Sequence, residues 1–344
     1  MAKGKKKSSG VFRIAMLLVV ALFFYALYRT FGPNTGEMVK GEYLYIRTGS
    51  DYESLKKELE SGGYVSDMFS FDQLAILRKL PEHVHAGKYR INKGMSNFNI
   101  VRMLRNGRQT SVKLTINKLR TKSDLIKLLS SNLEPDSATF TALINNEEYT
   151  DKFGLDSNTI MCAVLPDTYE FFWNTSADNA FRNIEKNYKK FWNDARKNLA
   201  QNQDLTPVEA TIIASLVDEE TNVLEDKPKI ASVYLNRIRK GMKLQADPTV
   251  KFAIGDFSIR RVTGKMLQTE SPYNTYMYAG LPPGPICTPS LSSLQAVMEA
   301  PKTTYLYFCA NADFSGRSSF ASTFDEQIKN ARAYQKALDA RGIH

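Results

Sequence analysis

Thr206-Pro207-Val208-Glu209-Ala210-Thr211-Ile212-Ile213-Ala214-Ser215-Leu216-Val217-Asp218-Glu219-Glu220-Thr221 begins with a capping box. Thr206 stands three residues before Glu209, with proline at the first helical position, and the apolar residues Ile212, Ile213, Leu216 and Val217 follow at helical spacing. The stretch therefore predicts a helix with a buried stripe. At about 100° per residue, Glu220 falls two turns beyond Ile213, between Leu216 and Val217, so it shares the apolar face. Asp218 is expected to point the opposite way and Glu219 to lie on the flank beside Ile212. Burial without a fixed cationic partner penalises the ionised form, so the Glu220 carboxyl should hold its proton above the roughly 4.3 of a free glutamate. A proton donor working at neutral pH needs that property. The rival reading of the three acids is ordinary surface charge at a helix end.

The surrounding chain has 344 residues, 43% hydrophobic and 24% charged, a globular composition long enough for two folded units. A net charge of +10 and a pI near 9.3 suit an acidic partner, whether nucleic acid, anionic lipid or a carboxylate-rich polymer, and charge alone does not choose. Part of the excess is Lys3, Lys5, Lys6 and Lys7, just ahead of an uncharged run from Ile14 to Tyr28 bounded by Arg13 and Arg29. With those arginines snorkelling, 11–31 is long enough to cross a bilayer once. Ala26-Leu27-Tyr28-Arg29 offers no small-x-small cleavage site, which favours a retained anchor over a removed signal. The lysines then stay cytoplasmic and everything after Phe31 lies across the membrane.

Cys162, Cys287 and Cys309 are too few and too scattered for a disulfide scaffold, and His83 with His85 would be two metal ligands lacking a third. No metal site and no cofactor is expected. Periodicity divides the chain into a basic tail (1–10), the anchor (11–31), a Gly-Pro-Asn-Thr-Gly tether (32–41), a small α+β module (42–109) and a mainly helical unit with short β elements (110–344). The overall class is α+β. The helical unit includes one charged amphipathic helix over 177–198, helices over 226–240 and 325–340, and a loop-rich stretch between the last two.

Around the helix stand Leu165-Pro166-Asp167-Thr168, Asn236-Arg237, Leu244-Gln245-Ala246-Asp247-Pro248-Thr249-Val250, Tyr273-Asn274-Thr275-Tyr276, and Gly280-Leu281-Pro282-Pro283-Gly284-Pro285-Ile286-Cys287-Thr288-Pro289. This ordered set closely resembles the YceG-like family of endolytic murein transglycosylases, also called MltG-like, and the resemblance runs from about Tyr43 to the C-terminus. The family's motif reads an acid, any residue, then Glu-Thr after Ala-Ser, and its last glutamate is the catalytic acid; that register falls on Glu220. The chain departs from the pattern at Asp218, at Ser290 after Thr288-Pro289, and around Asn117-Lys118, where the family has Glu-Gly. Ala86-Gly87-Lys88-Tyr89-Arg90-Ile91, followed by 97–107, resembles a LysM module, which would either hold glycan or serve as a rigid stalk.

The resemblance implies a membrane-anchored lyase of the inner membrane, with its catalytic domain outside the cytoplasm. It would cleave the MurNAc–GlcNAc bond within peptidoglycan strands, leave 1,6-anhydroMurNAc ends, and limit nascent strand length. Its partners would be the glycan strands, with peptidoglycan synthases and division proteins nearby and no nucleic acid. In that setting Gln245, Thr249 and Asn274 are expected to hydrogen-bond acetamido and hydroxyl groups, with Thr275 among them, and Tyr273 or Tyr276 to stack on a sugar face. Asp247 is expected to cap the next helix, and it is the one nearby candidate for a second carboxylate. Pro283 and Gly284, with Pro282 and Pro289, would form a stiff wall beside the strand, although a plain surface loop reads the same. The competing functions are a muramidase-type hydrolase on the same glutamate and a non-catalytic cell-wall scaffold.

Overall fold

The computed structural model describes residues 8–341, so Lys3, Lys5, Lys6 and Lys7 lie outside the described residues. The chain divides into two compact units. One runs to Val112 and takes in Asn132–Glu134 and Glu170–Ser176; the other holds Lys113–Ser131, Pro135–Tyr169 and everything from Ala177 onward.

The first unit opens with helix α1 (Ser8–Phe31), long and apolar enough to cross a membrane. Strand β1 (Tyr43–Ile46), helices α2 (Tyr52–Ser61) and α3 (Met68–Leu77), strand β2 (Gly87–Arg90) and helix α4 (Asn97–Arg105) follow. β1 pairs antiparallel with β2, Tyr43 opposite Arg90 and Ile46 opposite Gly87. Asp51, Asp67 and Ser96 cap the three short helices with their side-chain oxygens. Leu44, Leu55, Leu59, Phe71, Tyr89, Ile91 and Ile100 form the core.

The stretch read as a tether is fastened instead. The Asn34 N–H donates to the Met95 carbonyl at 2.9 Å, its own carbonyl accepts from Ser66 at 3.1 Å, and its side chain bonds Asn97 and Asp67. A buried asparagine with all these groups satisfied makes a joint of what its composition presents as a linker.

The chain then continues through β3 (Ser111–Ile116), α5 (Lys122–Ser130), α6 (Ser137–Ile144), α7 (Glu147–Asp151), β4 (Asp167–Phe172), α8 (Ala177–Phe191), α9 (Asp194–Gln201), α10 (Pro207–Glu220), α11 (Lys227–Arg239), α12 (Asp247–Ile254), α13 (Leu291–Met298), β5 (Tyr307–Ala310), β6 (Ser318–Ala321) and α14 (Phe324–Asp339). β3 pairs with β4 and β5 with β6. Two expectations change here. The helix read over 177–198 is two helices, because Trp192 turns into the core and Asn193 caps α9 by accepting from the Arg196 N–H. The loop-rich stretch contains α13, started by Ser290 as its cap.

Helix α10 is the centre of the second unit, packed against α9, α11, α12 and α13. Both capping-box bonds between Thr206 and Glu209 are made. Every residue from Ala210 to Asp218 is buried, so the helix has no solvent side along that length. The apolar stripe deduced from the sequence is only part of a surface buried all round.

Candidate active site

The last turn of α10 carries three acids, and the structure separates them. Asp218 does not point to solvent, contrary to the expectation that Glu220 alone faces the interior. It is buried in a nest where the Lys118 Nζ stands 2.8 Å from Oδ2 and the Lys227 Nζ 3.1 Å from Oδ1, while the Ser290 and Ser293 hydroxyls donate to Oδ1. Helical periodicity misplaces this residue because α13 and the segment before α5 cover the side that the period assigns to water. Burial alone would raise the Asp218 pKa, but the hydrogen bonds from Lys118, Ser290 and Ser293 outweigh it and hold the carboxyl well below the usual range. Asp218 is thus fixed as an anion. Glu219 is paired with Lys118 at 3.2 Å and Arg120 at 3.1 Å.

Glu220 has neither lysine nor arginine as an ion-pair partner among the described residues, and its one hydrogen bond there comes from Tyr234, whose hydroxyl donates to Oε1 at 2.7 Å. Some of its surface remains accessible, yet its carboxyl is desolvated by the surrounding protein. That desolvation pushes its pKa up to about 7; Tyr234 and Lys251 pull down, and the charges of Asp247 and Glu219 push further up. Because Tyr234 occupies Oε1 as a donor, the proton of the neutral acid belongs on Oε2.

Tyr234, on α11, is itself buried, and that burial, with the Glu220 carboxyl second, pushes its pKa well above the ordinary tyrosine value, so it remains a donor. One turn on, the Arg237 side chain is pinned to the carbonyls of Leu306 at 2.7 Å and Leu244 at 2.7 Å, with Gln245 Oε1 at 3.3 Å. Asn236-Arg237 was among the stretches that the sequence placed around the helix, but Tyr234 did not stand out as part of the acid's surroundings. Tyr234 lies fourteen positions after Glu220 and meets it only because α10 packs on α11.

The other expected site residues fall into two groups. Gln245 and Asp247 are exposed beside the acid, and Tyr276 donates its hydroxyl to Asp247 Oδ1 at 2.6 Å. Asp247 is the first residue of α12 and makes no side-chain cap bond, so the capping expectation fails: its carboxylate is taken by Tyr276. Gln245 sits at φ 53°, a left-handed conformation costing about 1–2 kcal/mol for a residue with a Cβ. Thr275 holds this turn, its carbonyl accepting from the Gln245 N–H and its hydroxyl from the Ala246 N–H.

Thr249, Asn274 and Thr275 are buried and spend their polar atoms inside the protein. Thr249 donates to the Ala246 carbonyl and meets the Thr275 hydroxyl at 2.9 Å, while Asn274 donates to the carbonyls of Leu267 and Thr269. These three shape the loops that present Gln245 and Tyr276, and the expectation that they reach a ligand directly gives way to that role. Tyr273 packs its ring on Phe252 at 4.7 Å. A Cβ on Gly284 would meet the Asn158 carbonyl oxygen at 2.1 Å, so only glycine fits there, next to half-buried Pro283. The following Ile286 N–H donates to the Ser215 hydroxyl, fastening the proline loop to α10.

All three cysteines are free, and burial pushes the Cys162 and Cys287 thiols up, leaving them unreactive. Among the described residues no cluster of histidine, cysteine or carboxylate side chains could hold a metal ion.

A family model described as the YceG-like family matches residues 44–333. The chain is 28% identical over 305 residues to a protein of Bacillus subtilis (strain 168) named endolytic murein transglycosylase, the match covering 84% of this chain and 83% of the relative. A Streptococcus pneumoniae protein of the same name is 25% identical, with 83% of this chain and 57% of the relative covered. A crystal structure of a yceG-like protein from Listeria monocytogenes superposes with a TM-score of 0.56 at 26% identity, covering 83% of this chain and 97% of that one. With the family match spanning most of its length, the chain belongs to the YceG-like family.

Proposed function

We propose that this member of the YceG-like family is a membrane-anchored lytic transglycosylase that cuts within peptidoglycan glycan strands, using Glu220 as its single acid and base. The observation that carries the proposal is the Glu220 carboxyl, desolvated, without a cation bonded to it, and poised at about 7. In the first half of the reaction Oε2 gives its proton to the glycosidic oxygen as the bond to MurNAc C1 breaks. In the second, the resulting carboxylate takes the proton from the same MurNAc C6 hydroxyl as that oxygen closes on C1, giving the 1,6-anhydro ring and regenerating the acid. Tyr234 supports both halves by holding Oε1 while Oε2 trades the proton.

No water is consumed, so no second carboxylate has to activate one. A well-oriented internal nucleophile reaches effective molarities of about 10⁵ to 10⁸ M, which makes positioning of the sugar the main demand. Gln245 and Tyr276 are the exposed or half-exposed groups suited to it, with Pro283 and Gly284 as a rigid border. The names and family of the relatives support the activity, and helix α1 supports anchoring, with the catalytic unit outside the cytoplasm. Termination of nascent strands, proximity to synthases and division proteins, and glycan binding by the LysM-like module belong to the same proposal.

Asp247 favours a second reading. Its charge acts on Glu220, and a muramidase-type hydrolase commonly requires such a second carboxylate. Mass spectrometry of digested uncross-linked strands separates the two: the proposal expects anhydro ends about 18 mass units lighter than hydrolytic ends. Reducing ends alone would replace it with hydrolysis, and absence of cutting would replace it with a scaffold.

A further inference from the structure

Helix α3 is mostly apolar, yet only one side of it is buried. Phe71 and Ala75 face the core of the first unit, while Phe69, Ile76 and Leu77 are 73%, 56% and 77% exposed. At helical spacing those three lie on one side together with exposed Gln73, so the helix presents an apolar face about 12 Å long with a single polar residue within it. Large aromatic and aliphatic side chains grouped in this way on an otherwise well-packed module mark a contact surface.

Both ends of α3 are tied to the same end of α1. At the start, Asp67, which caps α3, forms an ion pair with Arg29, and Asn97 donates to the Arg29 carbonyl and to Ser70. At the finish, the Arg78 guanidinium lies 4.9 Å over the Phe98 ring, which also meets Arg102 at 5.3 Å and, at 5.1 Å, Phe31, the last residue of α1. An ion pair at its start and a relay through Phe98 at its finish keep α3 beside the final turn of α1. Arg78, Lys79, Arg102 and Arg105 are exposed around it.

We propose that α3 is a second membrane contact, bedding Phe69, Ile76 and Leu77 into the interface of an anionic bilayer beside the emerging end of α1, with the four basic residues on lipid phosphates. The inference rests on the anchor reading of α1. Apolar side chains flanked by arginine and lysine are the chemistry of an interfacial helix, and here the spanning helix delivers them to the correct depth. The fastened joint at Asn34 then has a purpose, since it fixes the first unit flat against the lipid.

The test uses the full chain with Cys309→Ser, reconstituted in vesicles of phosphatidylglycerol and phosphatidylcholine containing nitroxide lipid, carried near the headgroup for the labels at 53, 69 and 77 and deep in the acyl chain for the label at 20. A fluorophore is placed in turn at Phe69→Cys, Leu77→Cys, Val20→Cys within α1, and Glu53→Cys on α2 as an exposed control. Labels at 69 and 77 should be quenched severalfold more than the label at 53, and that excess should shrink when phosphatidylglycerol is omitted. If the label at 20 is quenched while 69 and 77 match 53, the anchor stands and the α3 contact is overturned, leaving the face to a protein. If the label at 20 is unquenched in correctly folded protein, the anchor reading fails and takes this inference with it.

Discussion

Two carboxyls stand two residues apart on α10 and meet opposite fates. Around Asp218, two lysines and two serine hydroxyls converge, and the group is held as an anion. Around Glu220 there is protein bulk, one tyrosine hydroxyl and the charge of Asp247, and the group keeps its proton to about 7. Burial pushes both pKa values upward, so burial does not distinguish them. What differs is the supply of donors: where they are plentiful the carboxylate becomes a structural rivet, and where they are withheld it becomes an acid.

Removing the proposed proton carrier should produce the largest difference between the two. Glu220→Gln is expected to lower cutting by at least about 10²-fold, the usual worth of a general acid, as read from release of anhydro-ended fragments. The same variant should be the more stable one in alkali. The folded pKa of Glu220 lies above its ordinary 4.5, so folding is penalised progressively as pH rises from there through 7. Glutamine removes a penalty of up to roughly 3 kcal/mol at pH 8 and nothing at pH 4, which urea titrations at the two pH values would reveal.

Asp218→Asn should reverse that pattern. It leaves Lys227 buried without its anion, at a cost of about 3 kcal/mol or more in urea denaturation. The depressed pKa of Asp218 contributes stability that is fully present above the ordinary carboxylate value and is lost only as pH falls from there down through the depressed folded value, so the variant and the parent should converge only in strong acid. A variant equally destabilised at every pH would mean that the nest acts through packing alone.

The subtlest change is Tyr234→Phe. Its hydroxyl favours the ionised glutamate, so its loss should move the alkaline limb of the pH–rate profile upward by about one unit or less and leave the limb's shape intact. An unmoved limb would assign Tyr234 to packing.

Glu220 was legible because local information defines its place: a capping box fixes the start of α10, and Leu216 and Val217 one turn earlier fix the face. Asp218 was not, since apart from Lys227, nine residues on, its partners lie 100 residues before it at Lys118 and 72 and 75 residues after it at Ser290 and Ser293. Periodicity describes a helix with one neighbour, and α10 is enclosed on every side. Residue type likewise pointed to Thr249 and Asn274 as hydrogen-bonding groups without saying toward what, and the structure turns them inward to loop carbonyls. Asn34 reads as linker chemistry and is a buried joint, because composition does not reveal which partners a polar side chain will find.

The most direct test is a ¹³C NMR titration of the glutamate and aspartate side-chain carboxyls, with Glu220 and Asp218 assigned by the Glu220→Gln and Asp218→Asn variants. The Glu220 signal should titrate near 7, while that of Asp218 remains ionised to well below the ordinary range. A Glu220 midpoint near 4.5 would contradict the account at its centre, because the carboxyl would then have no proton to give at neutral pH.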